Sequence, residues 1–98
     1  MASEIEEVTI QYDEDGAELI KELDKKVLSK GAWATVVFRY QQLEKDKEGN
    51  DKYSEDRYTI RRYRKRNGEY VQQSKFNISS RDQAKKLVDI LSSWASAE

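Results

Sequence analysis

Residues 67 and 68 are Asn-Gly, and the segments on either side are rich in β-branched and aromatic residues. Asn and Gly tolerate the positive φ that a two-residue hairpin turn requires, and such a turn matches the twist of the strands it joins. The pair predicts a strand over 58–66, a tight reversal, and an antiparallel return over 69–78. The run AWATVVFRYQQL at 32–43 has the same β-rich composition and predicts the strand before them. Between 43 and 58 lies EKDKEGNDKYSED, polar throughout and carrying Gly49-Asn50, which predicts a long hairpin loop.

The ends of the chain follow other periods. Val8, Ile10 and Tyr12 alternate with Thr9 and Gln11, a short strand pattern. Residues 13–16 form a turn or capping cluster in which Asp13 or Asp15 can serve as N-cap. Ala17, Ile20, Leu23 and Val27 then fall near helical spacing, with Lys25, Lys26 and Lys30 late in the run and Gly31 as a stop. The expectation is a helix over 15–29. At the other end, Ser80 and Gln83 have capping-box spacing ahead of a stripe of Ala84, Leu87, Val88, Leu91, Trp94 and Ala95. This predicts an amphipathic helix. The chain of 98 residues has the size of one domain. The expected fold is α+β, a curved antiparallel sheet backed by the C-terminal helix. Residues 31–98 form its core, and 1–30 add an acidic strand and helix.

Composition removes most catalytic chemistry. The chain has no Cys and no His, so disulfides, thiolate metal sites, a cysteine nucleophile and the usual general base are absent. No constellation of carboxylates, Lys, Tyr or Ser replaces them, and a non-enzymatic protein without cofactor or metal is expected. The loop residues Asp46, Glu48, Asn50 and Asp51 lack the spacing of a calcium loop. No apolar run reaches the length of a membrane span and the start is no signal peptide, so the expected compartment is the cytoplasm.

Charge is segregated although the formal net charge is only -1. Acids crowd residues 4–24, whereas Arg61, Arg62, Arg64, Lys65 and Arg66 follow one another with no acid until Glu69. Side chains alternate faces along a strand. Even positions collect Ala34, Val36, Phe38, Tyr40, Tyr58, Ile60, Tyr70, Phe76 and Ile78, a core face for which the C-terminal stripe is the natural cover. Odd positions collect Trp33, Arg39, Arg61, Tyr63, Lys65 and Lys75, a cationic and aromatic face that suits single-stranded nucleic acid. The bland reading is the polar side of an ordinary antiparallel sheet. Arg62 and Arg64 are even and fit poorly, because an unpaired guanidinium cannot be buried. Either the strand outruns its cover or a bulge shifts the register.

IRRY at 60–63, Asn67-Gly68-Glu69, and SKFNISSRDQAKKL at 74–87 resemble motifs of the transcriptional coactivator positive cofactor four family, which includes compact bacterial binders of single-stranded DNA. The resemblance covers about two thirds of the chain, from Trp33 to Trp94. It implies a curved sheet, single-stranded DNA across its exposed strands, and a homodimer packed through the helices. It assigns DNA contacts to Arg39, Arg61 and Lys75 and a stacking ring near Tyr40. Arg64 stands where the family has a tryptophan, and residues 1–30 lie outside the family's pattern.

The residues and the resemblance lead to one expectation: a protein that binds single-stranded DNA, with RNA second, at low sequence specificity. Arg39, Arg61, Arg64, Lys65 and Lys75 would contact phosphates, and Tyr63 and Tyr40 would stack on bases. Leu87, Leu91 and Trp94 are the candidate dimer contacts. Two alternatives compete. The order helix, three strands, helix is that of double-stranded-RNA-binding domains, and a protein-interaction module would use the same surfaces with no nucleic-acid ligand.

Overall fold

The computed structural model describes residues 2–96. Its elements are a 3-10 turn at Ile5–Glu7, then β1 (Tyr12–Glu14), β2 (Ala17–Ser29), β3 (Trp33–Lys45), β4 (Asp51–Tyr53), β5 (Arg57–Arg66), β6 (Glu69–Ile78) and one helix, α1 (Arg81–Ser96). The strands form a curled antiparallel sheet in the order β1-β2-β3-β5-β6, with β4 paired to the end of β3. The α+β class with a C-terminal helix stands. The hairpin at the centre of the sequence also stands: Asn67 and Gly68 take φ of 50° and 80°, the left-handed pair the turn needs.

Residues 15–29 are not a helix. Asp15-Gly16 is a second left-handed pair, φ 51° and 82°, and it turns β1 into β2 rather than capping anything. β2 then pairs along β3, with irregularities between Glu22 and Asp24 and between Val27 and Ser29. A bulge shifts side-chain parity by one, so Ile20, Glu22, Lys25 and Val27 share a face across it. The apolar stripe expected of a helix is split by it: Ile20 and Val27 lie on that face, whereas Leu23 is the extra residue of the bulge. The helix, three strands, helix order of a double-stranded-RNA-binding domain is therefore absent.

The loop between β3 and β5 is also shorter than its composition predicts. β3 runs on to Lys45 and β4 pairs back against it. Asp46 closes the turn, its N–H donating to Asn50 O at 2.8 Å and its carboxylate accepting from the Glu48 and Asn50 N–H groups.

The largest correction concerns what covers the core. Ala34, Val36, Phe38 and Tyr40 of β3 are buried together with Tyr63, Ile5, Val8 and Ile10. Residues 2–10 cross the sheet face as a strap, so this segment is part of the core and not an appended arm. At one end Ala2 O accepts from Tyr70 N of β6 at 2.8 Å. At the other, Glu22 of β2 accepts from Thr9 Oγ1 at 2.6 Å and from Ile10 N at 3.2 Å. Lys25 Nζ donates to the carbonyls of Glu6 and Val8 between them. Val8 and Ile10 pair in no ladder, and of the expected strand only Tyr12 lies in one, at the start of β1.

α1 begins as its sequence predicts, Gln83 N donating to Ser80 Oγ at 3.1 Å, with the Gln83 side chain accepting from Ser79 N instead of Ser80 N. It does not cover the core face: no residue of α1 belongs to the buried cluster. Ala84 and Leu87 are half-buried, whereas Val88, Leu91 and Trp94 are exposed, Trp94 to 72%. No helix among the described residues is long and apolar enough to cross a membrane.

Candidate nucleic-acid interface

Residues directly opposite in an antiparallel ladder share a face. In the β3–β5 ladder Ala34 faces Tyr63, Val36 faces Arg61 and Phe38 faces Thr59, while Trp33 faces Arg64, Thr35 faces Arg62 and Arg39 faces Tyr58. Even residues of β3 thus share a face with odd residues of β5. The parity expected for β5 is inverted, and Arg62 and Arg64 need neither an overhang nor a bulge of their own strand to reach water. A bulge does exist in the neighbouring strand: Arg62 faces Ser74 and Tyr63 faces Gln72, leaving Gln73 between them. It changes parity within β6, which puts Tyr70 and Gln72 on the strap side together with Lys75 and Asn77.

The expected binding residues therefore divide between two faces. On the strap face, Tyr40 and Tyr63 are only 8% and 5% exposed, which removes both rings as base-stacking platforms. Burial raises the Tyr63 phenol pKa above its ordinary value, with Glu22 adding to the effect and Arg61 opposing it. Arg61 is half-buried at the margin of the strap, donating from Nε to Thr59 Oγ1 at 3.3 Å and from Nη1 to Gln72 Oε1 at 2.8 Å. Lys75 lies opposite it in register, and Lys65 stands 5.4 Å over the Tyr70 ring.

Arg39 and Arg64 belong to the open face. Arg39 is paired with Asp56 at 3.4 Å, so its charge is partly compensated. Arg64 lies 5.4 Å from the centre of the Trp33 ring and Arg62 4.7 Å from it. Arg62 was outside the expected binding set, and Trp33 was expected on the cationic and aromatic face but without a contact role. The signal that could have found Arg62 was the misfit itself, because two guanidinium groups on a nominal core face are better explained by reversing that strand's parity.

The ion pairs among the described residues link Lys30 to Glu6, Arg39 to Asp56, Lys45 to Asp51 and Arg57 to Glu44. Arg61, Arg62, Arg64, Lys65, Arg66 and Lys75 have no described carboxylate within ion-pair distance. Between Arg61 and Lys75 both faces of the β5–β6 hairpin thus carry cations without a described carboxylate partner. No group of three or more acidic residues among the described ones could hold a metal ion. The dimer candidates Leu87, Leu91 and Trp94 lie on α1, away from the core. Comparison of the chain with protein-family models, with curated proteins and with solved structures gives no match.

Proposed function

We propose that the chain is a non-enzymatic, cytoplasmic protein that binds single-stranded nucleic acid, DNA before RNA, with low sequence specificity through the β5–β6 hairpin. The observation that carries this reading is the density of cations on that hairpin: Arg61, Arg62, Arg64, Lys65, Arg66 and Lys75 lie close together on two paired strands, and none has a described carboxylate within ion-pair distance. Like charges at ladder spacing repel, and phosphates relieve that repulsion while releasing counterions. Arg61 and Lys75 hold phosphate on the strap side and Arg62, Arg64 and Arg66 on the open side, with Lys65 beside the turn. The resemblance to the positive cofactor four family adds support at Arg61 and Lys75. Arg39 contributes little, being engaged with Asp56.

A second copy of the chain packs on the exposed stripe of α1. Leu87, Leu91 and Trp94 supply contacts that the sheet does not use. Leu91→Asp then converts a dimer to a monomer in sedimentation velocity with the sheet still folded. A parent chain that sediments as a monomer at every concentration contradicts the pairing.

Fluorescence anisotropy with labelled oligonucleotides tests the ligand. Tighter binding to single strands than to duplex DNA or RNA, weakening as salt rises, supports the reading. Binding that ignores salt, or none at low salt, leaves a protein-interaction module instead.

A further inference from the structure

The rings first expected to stack on bases are buried; the open face still exposes Phe76 and Trp33, and of these two Trp33 is the one with cations over its ring. Trp33 starts β3 on the open face and is 43% exposed. Arg64 faces it across the ladder and Arg62 sits two residues along the same strand, both exposed. Their guanidinium carbons lie 5.4 and 4.7 Å from the indole centre. The other cation–ring contacts of the described residues, Lys21 over Tyr53 and Lys65 over Tyr70, involve one lysine each.

We infer that Trp33 is a base-stacking subsite. An unpaired nucleobase lies on the exposed part of the indole, and Arg62 and Arg64 hold the phosphates on either side of it. This rests on the hairpin reading and adds the stacking platform to it. Two guanidinium groups drawn to one ring without a carboxylate repel each other, so the cluster is complementary to an anion arriving between them. A planar base suits the rest: an indole offers a π-face to any base without regard to sequence. Beyond the guanidinium groups, β6 presents Ser74 opposite Arg62 and Val71 opposite Arg64, with the exposed Phe76 opposite Ile60 further along the same face.

The test compares oligo(dT) with an abasic oligonucleotide of the same length, which keeps the phosphates and lacks the bases. The parent protein binds oligo(dT) about tenfold more tightly than the abasic strand, within the range for one stacked base. Its tryptophan fluorescence is quenched by oligo(dT), and the quench is lost in Trp33→Phe, whose affinity ratio falls between those of the parent and Trp33→Ala. Trp33→Ala brings the ratio close to one and leaves the salt dependence unchanged, while Arg62→Gln weakens binding of both oligonucleotides. Circular dichroism confirms that each variant is folded. Equal affinity of the parent for the two oligonucleotides, or a ratio unchanged in folded Trp33→Ala, overturns the Trp33 subsite and spares the hairpin reading. Failure to bind either oligonucleotide at low salt overturns both.

Discussion

Arg64 lies directly opposite Trp33 across the β3–β5 ladder, on the face away from the strap. Its neighbour in the alternate phase, Arg61, opposes Val36 on the strap face and is held by Thr59 and Gln72. Two arginines of one strand thus have different structural weight. Arg64→Ala should change unfolding free energy by under about 0.5 kcal/mol, as for exposed sites in general. Arg61→Ala should cost about 1 kcal/mol, the scale of a side-chain hydrogen bond, with the protein still folded. Urea denaturation of the two variants measures the difference, and equal effects contradict the face assignment.

The strap makes residues 2–10 part of the fold. Ile5 is fully buried against β3. Ile5→Ala should therefore destabilise by about 2–5 kcal/mol, the range for large-to-small changes in a core. A solubilising arm would tolerate the change, so a loss below the error of chemical denaturation contradicts the packing described.

Gly16 gives a test by sign. Its φ is 82°, and a Cβ there would meet no atom within 4 Å, so only backbone strain opposes a side chain. In the β1–β2 turn Gly16→Ala should destabilise by about 1–2 kcal/mol. In a helix the same change would stabilise by up to about 1 kcal/mol. Thermal melts of the variant separate the two.

Tyr63 makes stability depend on alkaline pH. Burial, with a smaller contribution from Glu22, raises its pKa above the ordinary 10.0, because the phenolate would sit in the core beside the strap. The folded state therefore binds the proton more tightly than the unfolded state. The associated stability is fully present below the unfolded pKa and is lost as pH rises from there through the folded value. Denaturation midpoints should fall above pH about 10, and less steeply for Tyr63→Phe than for the parent. Parallel profiles for the two proteins contradict a buried Tyr63.

The features legible in the sequence were those set by local chemistry. Asn67-Gly68 specified its turn, the β-rich runs gave β3, β5 and β6 to within two residues at each end, and Ser80 with Gln83 placed the start of α1. What escaped was set by pairing. The spacing of Ala17, Ile20, Leu23 and Val27 suits a helix, yet in β2 Leu23 is the extra residue of a bulge. Of the two roles open to residues 13–16, turn and cap, pairing of β1 with β2 selects the turn at Asp15-Gly16. Parity within β5 carries no sign of its own: Tyr58 and Ile60 look more apolar than Thr59 and Arg61, yet ladder register puts Thr59 in the core. The candidate site inherits that error at Tyr63, whereas Tyr40, assigned by the resemblance, lies in the core as its own parity predicts. Arg61, Arg64, Lys65 and Lys75 lie on the hairpin and Arg39 on β3.

The central claim is that the β5–β6 hairpin binds single-stranded nucleic acid through its uncompensated cations. Its most direct measurement is the salt dependence of binding to a labelled single-stranded DNA, for the parent and for Lys75→Ala. The logarithm of affinity should fall linearly with the logarithm of salt concentration, and removing one phosphate contact should reduce the slope by about 0.7. A single-strand affinity that does not change with salt, or a slope unaffected by losing Lys75, would contradict the account.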